Sequence, residues 1–410
     1  MTTRPTLTIV GASLAGAKAA EGARAAGFEG RVVLIGDEPH APYERPPLSK
    51  ALLRGESDLA SAHVHATDFY EQHDVERITD TVTAIDPAGH RVRLGGGLQL
   101  PFDALVLATG SAPRALSVPG AELDGVHYLR TVEDARALRD AIRATIRVVV
   151  IGAGWIGSEV AASARQMGVD VVLVDPAPTP LHRVLGEQIG ATFLSLHAEH
   201  GVTLRMRSAV RELRGAGRVE QVVLADGRVE VADVVVVGVG AMPRVDLVGA
   251  ALGVRVDNGI VVDEHLQSTV PGIYAAGDVA NAWHPGYHRY LRVEHWANAL
   301  NQGLTAGANA AGQREVYDRM PYFFSDQYDL GLEYIGHASP DDAVAIRGDL
   351  DSRTFIAFWH RDGVVTAAMA VNTWDVVDDL KAIVGHGGID LRRVTSVDVP
   401  LAELSPASRR

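Results

Sequence analysis

The sequence predicts an α/β chain of several domains, and three observations carry that prediction. A strand–glycine turn–helix unit opens the chain, a second copy of it returns in mid-chain, and the character of the sequence changes near Pro321. The first unit reads Leu7-Thr-Ile-Val-Gly11-Ala-Ser13-Leu14-Ala15-Gly16, runs on through an alanine-rich helix, and returns in Arg31-Val-Val-Leu-Ile-Gly36. The second reads Arg147-Val-Val-Val-Ile-Gly152-Ala-Gly154-Trp-Ile156-Gly157 and returns in Val171-Val-Leu-Val-Asp175. Runs of β-branched residues before each turn predict strands of a parallel sheet buried on both faces. A unit that recurs along one chain is an organising repeat, to be read before any single motif.

Further apolar strands end in small or polar residues: Leu105-Val-Leu-Ala108-Thr-Gly110, Asp233-Val-Val-Val-Val-Gly238-Val-Gly240 and Gly272-Ile-Tyr-Ala-Ala-Gly277-Asp278. Beyond Pro321, segments such as Thr354–Trp359 and Val364–Val371 predict antiparallel strands parted by Asp/Gly turns. A helix is expected from about Thr373 to Val384, and Ser405–Arg410 reads as a loose tail.

Composition narrows the chemistry. The chain has 410 residues, 47% apolar and 22% charged, the balance of a globular protein with a large core. Its net charge of −13 argues against nucleic acid as a general partner. The N-terminus lacks the features of a signal peptide, and no apolar run is long enough to span a bilayer, so a cytoplasmic, membrane-free protein is expected. There is no cysteine, which removes redox-active disulfides, cysteine-held iron–sulfur clusters and thiolate metal sites. No metal site is expected, and any redox chemistry must belong to an organic cofactor. Only Lys18, Lys50 and Lys381 are lysines among 38 basic residues, so each invites the question of whether a compact ammonium is needed there.

The mid-chain turn is a full GxGxxG. Gly152 permits the tight turn, Gly154 lets backbone approach a pyrophosphate, and Gly157 lets helix and strand pack closely. The helix that follows offers free N–H groups and a positive dipole end to phosphate. Asp175 closes the next strand, where a carboxylate suits a ribose 2′-hydroxyl and repels a 2′-phosphate, favouring NADH over NADPH. The N-terminal turn carries Ser13 where the second glycine usually stands. Asp37 and Glu38 follow its second strand, one of them placed for an adenosine ribose, although either could be a solvated turn acid. Two nucleotide sites in one chain are met most economically by a flavin with a nicotinamide partner. Asp278, after Gly277 at a strand end, suits a flavin's ribityl hydroxyls or, equally, a helix cap.

These residues, with Pro42-Tyr-Glu-Arg45-Pro-Pro-Leu-Ser-Lys50, Ala108-Thr-Gly110, Tyr128-Leu-Arg130-Thr-Val-Glu-Asp134, Gly152 to Glu159, Ala276-Gly-Asp278, the stretch from Val293 to Gly303 and Phe324-Ser-Asp-Gln-Tyr328, give the chain a resemblance over nearly its full length. It resembles the FAD-dependent ferredoxin reductases of oxygenase and cytochrome P450 systems. The resemblance implies a glutathione-reductase-like fold, with two Rossmann-type dinucleotide-binding domains and a C-terminal α+β domain. The implied bounds are 1–112 with 245–318 for FAD, 113–244 for NAD and 319–410 for the C-terminal domain.

It implies FAD contacts at Ala15, Asp37, Arg45, Lys50, Val82, Arg130, Asp278 and Trp296, joined by Gly11, Ser13, Leu14, Gly16, Ala108, Gly277 and Glu294. Gly152, Gly154, Ile156, Gly157, Glu159, Asp175 and Gly238 form the implied NADH set. Lys50 and Glu159 are the implied catalytic ion pair beside the flavin ring. A helix expected over Ala297 to Ala311 would aim its dipole at the reduced flavin. Tyr322, Phe323 and Phe324 stand where relatives often carry tryptophan, so the resemblance does not extend to an indole at that place.

The implied activity takes electrons from NADH through FAD to a small iron–sulfur ferredoxin that feeds a cytochrome P450 or a Rieske-type oxygenase. Lys381, Arg392 and Arg393 are candidates for meeting an acidic ferredoxin, set against an ordinary solvated face. The same architecture would also serve a rubredoxin or small-molecule reductase, or an NADH oxidase, or an NADH-responsive binding module. Thiol-dependent peroxide chemistry is excluded by the absence of cysteine.

Overall fold

The structure, a computed structural model, describes residues 4–249, 252–388 and 390–404, so the tail expected at Ser405–Arg410 lies outside the described residues. It divides into two compact units. One comprises Met1–Glu44, Leu59–Ala112 and Met242–Pro321; the other comprises Arg45–Asp58, Pro113–Ala241 and Tyr322–Arg410.

The first unit is built on a five-stranded parallel sheet in the order Ile273–Ala275, Ala104–Leu107, Thr6–Val10, Arg31–Gly36, Val75–Thr79. Every residue of the central strand Thr6–Val10 is buried, as its unbroken apolar and β-branched run requires. Two helices, Leu14–Ala25 and Trp296–Ala310, pack against each other with backbones nearly touching. A Cβ on Gly303 would fall 2.4 Å from the Ala15 carbonyl oxygen, and one on Gly307 would fall 1.9 Å from that of Ala19. The alanine and glycine richness of both segments is therefore a packing requirement. The second helix begins one residue before the expected Ala297.

The second unit holds a matching parallel sheet in the order Thr203–Met206, Asp170–Asp175, Arg147–Ile151, Val234–Val237, Val126–His127. Its C-terminal portion is a five-stranded antiparallel sheet in the order Tyr322–Gln327, Leu330–Gly336, Val364–Val371, Thr354–Arg361, Ala343–Asp349. One apolar cluster fuses the two portions. Leu185, Ile189, Phe193 and Leu196, all on the helix His182–Glu199, are buried against Leu332, Phe355, Met369 and Val371 of the antiparallel sheet. Each such fully buried side chain contributes about 1.5–3 kcal/mol. Leu53 is likewise buried among Leu138, Ile142 and Val160, which places the Arg45–Asp58 segment in this unit.

The C-terminal helix is shorter than the expected Thr373 to Val384 and runs Val377–Ile383. Asn372 and Asp375 adopt positive φ angles of 45° and 60°, so the chain turns there instead of starting a helix. Among the described residues no helix is long and apolar enough to cross a membrane.

Candidate functional site

The two glycine turns repeat in atomic detail. Gly11 N–H donates to the Ile35 carbonyl at 2.8 Å, and Gly152 N–H donates to that of Val174 at 2.8 Å. Ala108 N–H donates to Val10 and Gly238 N–H to Ile151, again at 2.8 Å each. Gly11 and Gly152 have φ of +112° and +100°, and a Cβ would fall 2.1 Å from the Ala108 oxygen in one copy and 2.4 Å from that of Gly238 in the other. The third glycines are as constrained: a Cβ would lie 1.8 Å from the Gly11 oxygen at Gly16 and 1.9 Å from the Gly152 oxygen at Gly157. Gly154 differs from all of these. A Cβ there would meet nothing within 4 Å, so the space beside it is open.

Ser13 and Gly154 are the N-caps of their helices, in extended conformation and without a side-chain hydrogen bond to the helix. The first-turn N–H groups of a helix have no intrahelical partner. Leu14 and Ala15 sit in the first turn after Ser13, and Trp155 and Ile156 in the first turn after Gly154. Ile156 is 46% exposed.

Asp175 ties its turn together. Its Oδ2 accepts from the Ala153 N–H and its Oδ1 from the Ala177 N–H, each at 2.7 Å. Asp37, the corresponding acid of the first unit, lies 3.6 Å from the Arg244 guanidinium on the surface, and Glu38 accepts from the Tyr43 hydroxyl.

The first unit also gathers Gly277 and Asp278 at its N-terminal turn. A Cβ on Gly277 would fall 3.0 Å from that of Ala15, and the Gly277 N–H donates to Gln302 Oε1 at 2.9 Å. Asp278 Oδ2 accepts from the Ser111 hydroxyl at 2.8 Å, which orients the carboxylate. Arg292 joins the Asp278 carbonyl, at 3.2 Å, to the Glu294 carboxylate. Trp296 opens the helix Trp296–Ala310, which His295 caps without a side-chain bond to it. Val82 is buried on the separate antiparallel strand Val82–Asp86.

The second unit brings Lys50 to Glu159. Lys50 Nζ stands 2.7 Å from Glu159 Oε2, with the two side chains 14% and 6% exposed. The other lysines answer the question their rarity raised: Lys18 pairs with Glu21, and Lys381 with Asp378, each three residues along its own helix. Lys50 alone of the three spans distant segments. Arg45 donates to the Arg130 carbonyl, and Arg130 N–H donates to Asp134 Oδ2 at 2.9 Å within the capping box that starts the helix Val132–Arg143.

Several residues around this pair carry no sequence signal of their own. Ser49 Oγ donates to Glu159 Oε2 at 2.5 Å and Ser325 Oγ to Glu159 Oε1 at 2.6 Å. Gln327 Oε1 and the Tyr328 hydroxyl lie 3.1 Å and 3.3 Å from the ring nitrogens of His197, a fully buried residue whose pKa burial lowers to about 4. Desolvation raises the pKa of the Asp326 carboxyl, the nearby Lys50 opposing the rise and Glu159 adding to it. Ser49, Ser325, Gln327 and Tyr328 all fall inside Arg-Pro-Pro-Leu-Ser-Lys and Ser-Asp-Gln-Tyr, two of the segments on which the resemblance rests. Of the candidate docking cations, Lys381 is paired as above and Arg393 lies 3.8 Å from Glu403.

Comparison with known proteins agrees with this fold. Residues 5–303 match the pyridine nucleotide-disulphide oxidoreductase family, and residues 322–405 match the reductase C-terminal family. The chain is 41% identical to rhodocoxin reductase of Rhodococcus erythropolis, over 86% of this chain and 83% of that one. It is 36% identical to putidaredoxin reductase of Pseudomonas putida, over 100% and 99% of the two chains. Among solved structures, the ferredoxin reductase for the CYP199A2 system of Rhodopseudomonas palustris superimposes with a TM-score of 0.94, at 36% identity over 98% and 99% of the chains. The covalent putidaredoxin reductase–putidaredoxin complex gives the same TM-score at 35% identity, each chain being covered completely. With a family match over most of its length and relatives aligned from end to end, the chain belongs to the pyridine nucleotide-disulphide oxidoreductase family, among its ferredoxin reductases.

Proposed function

We infer that the protein is an NADH-dependent flavoprotein reductase that passes electrons through FAD to a small iron–sulfur ferredoxin serving a cytochrome P450 or a Rieske-type oxygenase. The Lys50–Glu159 ion pair carries this reading, because its Glu159 stands on the helix that the second glycine turn begins, in a chain with no cysteine. A cytoplasmic location goes with it.

The residues present fit both nucleotides. In the first unit the uncapped helix start at Leu14–Gly16 suits the FAD pyrophosphate, Asp278 held by Ser111 suits its ribityl hydroxyls, and Asp37 suits its adenosine ribose. Gly11, Ser13, Ala108, Gly277, Glu294, Trp296 and Val82 are proposed FAD contacts with them, and Arg45, Lys50 and Arg130 are proposed as further FAD contacts. In the second unit the open space beside Gly154 and the uncapped helix start at Trp155–Gly157 suit the NADH pyrophosphate. Asp175 retains lone pairs beyond the two amides it accepts and suits the ribose, with Ile156 and Gly238 alongside. The three-domain division into FAD, NAD and C-terminal parts is part of this reading.

Bound FAD would supply the two-electron to one-electron conversion, taking hydride from the nicotinamide and releasing electrons singly. The chain's own residues bind and orient. Lys50 offers a compact cation whose direction Glu159 fixes, and the Gly152–Gly157 turn with Asp175 holds the nicotinamide's other end so that the reacting atoms meet in one geometry.

Steady-state NADH oxidation against a panel of acceptors tests the proposal. A [2Fe–2S] ferredoxin should be reduced with a much larger kcat/KM than rubredoxin, quinones or dioxygen; equal rates on small acceptors and none on any ferredoxin would refute it.

A further inference from the structure

Glu159 is a hub, and the third segment it gathers comes from the C-terminal sheet. Among the described residues its carboxylate has three donors: Lys50 and Ser49 on Oε2, and Ser325 on Oε1. Ser49 and Ser325 are each 1% exposed and Glu159 is 5% exposed, so water does not readily replace either hydroxyl.

The match is built into the elements. Ser325 lies on the strand Tyr322–Gln327, where Phe323, Ser325 and Gln327 are buried and alternate with neighbours that are not. Phe323 meets Trp155 edge-on at 4.7 Å between ring centres, and Ser325 meets Glu159. Trp155 and Glu159 are four apart on one helix face, roughly 6 Å along its axis. Phe323 and Ser325 are two apart on one strand face, roughly 6.6 Å. The two spacings agree, so the strand runs along the helix with Ser325 in register with Glu159, and Gln327 extends the same face to His197.

We propose that Ser325 is a positioning residue for hydride transfer. Its hydroxyl holds Glu159 Oε1, as Ser49 holds Oε2, and so fixes the carboxylate that directs the Lys50 ammonium. The C-terminal sheet thereby takes part in the NADH half-reaction. An ionised carboxylate only accepts hydrogen bonds, so both hydroxyls donate. Without Ser325, Oε1 is left buried with no donor, the carboxylate is free to rotate, and the direction of the Lys50 cation is no longer set. The inference rests on the reductase reading above, in which Lys50 serves the flavin.

The test uses the full flavin-loaded protein. Ser325→Ala, Ser325→Thr and Ser49→Ala are mixed anaerobically with NADH, and the limiting rate of flavin bleaching is recorded beside flavin content and NADH affinity. Misplacing a reacting group by about 1 Å costs about a hundredfold in rate, so a smaller shift should cost about tenfold or more. Ser325→Ala should lose that much at unchanged flavin content and nearly unchanged NADH affinity, with a primary isotope effect from 4-deuterated NADH. Ser325→Thr, which keeps the hydroxyl, should recover most of the rate, and Ser49→Ala should fall as Ser325→Ala does. Bleaching at the wild-type rate in flavin-loaded Ser325→Ala or Ser49→Ala overturns the proposal. Failure of NADH to bleach the wild-type protein would instead overturn the reductase reading itself.

Discussion

Lys50 Nζ lies 2.7 Å from Glu159 Oε2, joining the short segment Arg45–Asp58 to the helix Trp155–Gln166. Both charges are largely withdrawn from water, so the pair is not a stabilising ornament of the surface. Desolvating two ions costs several kcal/mol each, which their attraction and further hydrogen bonds must offset. Removing one partner exposes that cost. Glu159→Ala, which strands the cation and two serine donors, should lower the free energy of unfolding by about 3–5 kcal/mol. Denaturant melts measure it, and a loss no larger than that of a surface glutamate would show that the pair is solvated.

The glycines of the second turn should separate folding from nucleotide binding. Gly157→Ala places a Cβ 1.9 Å from the Gly152 carbonyl oxygen, so helix and strand must move apart. Its melting temperature should drop and its flavin spectrum should broaden. Gly154→Ala meets nothing within 4 Å and has a helix-compatible φ of −76°, so the protein should melt as wild type does. The KM for NADH should nevertheless rise about tenfold or more, because the added methyl fills the open space. An unchanged KM would remove this turn from the NADH site.

Acid sensitivity should trace to His197. Burial lowers its pKa from 6.5 to about 4 in the folded chain. Between those values the unfolded state binds the extra proton and the folded state does not, so stability rises with pH through this window. The contribution is complete above pH 6.5 and is lost as pH falls towards 4, amounting to about 3 kcal/mol at the bottom of the window. His197→Gln should flatten the dependence of melting temperature on pH between 4 and 6.5. An unaltered slope would place the acid-sensitive group elsewhere.

Much of the fold was legible because its signals are local. The βαβ repeats announce themselves in β-branched runs and in glycines that the φ angles and carbonyl contacts at Gly11 and Gly152 require. The antiparallel strands Thr354–Arg361 and Val364–Val371 were legible in the same way. The helix start at Val377 was not, because Asn372 and Asp375 turn the chain by adopting positive φ, which a propensity reading from Thr373 does not register.

For the site, Lys50 and Glu159 could be named from the resemblance and the scarcity of lysine. Ser49 and Ser325 could not, since a serine acquires its meaning only when tertiary packing sets it opposite a buried carboxylate. The same holds for His197, whose low pKa follows from its burial beside Gln327. Arg244 beside Asp37 was equally silent, as nothing in either segment's sequence foretells the pair.

Rapid anaerobic mixing of the purified flavin-loaded protein with NADH tests the central claim most directly. The visible flavin absorption should bleach in a single turnover at a rate that saturates with NADH, and the reduced protein should then hand its electrons one at a time to an oxidised [2Fe–2S] ferredoxin. A flavin that NADH leaves oxidised, at any concentration, would contradict the account.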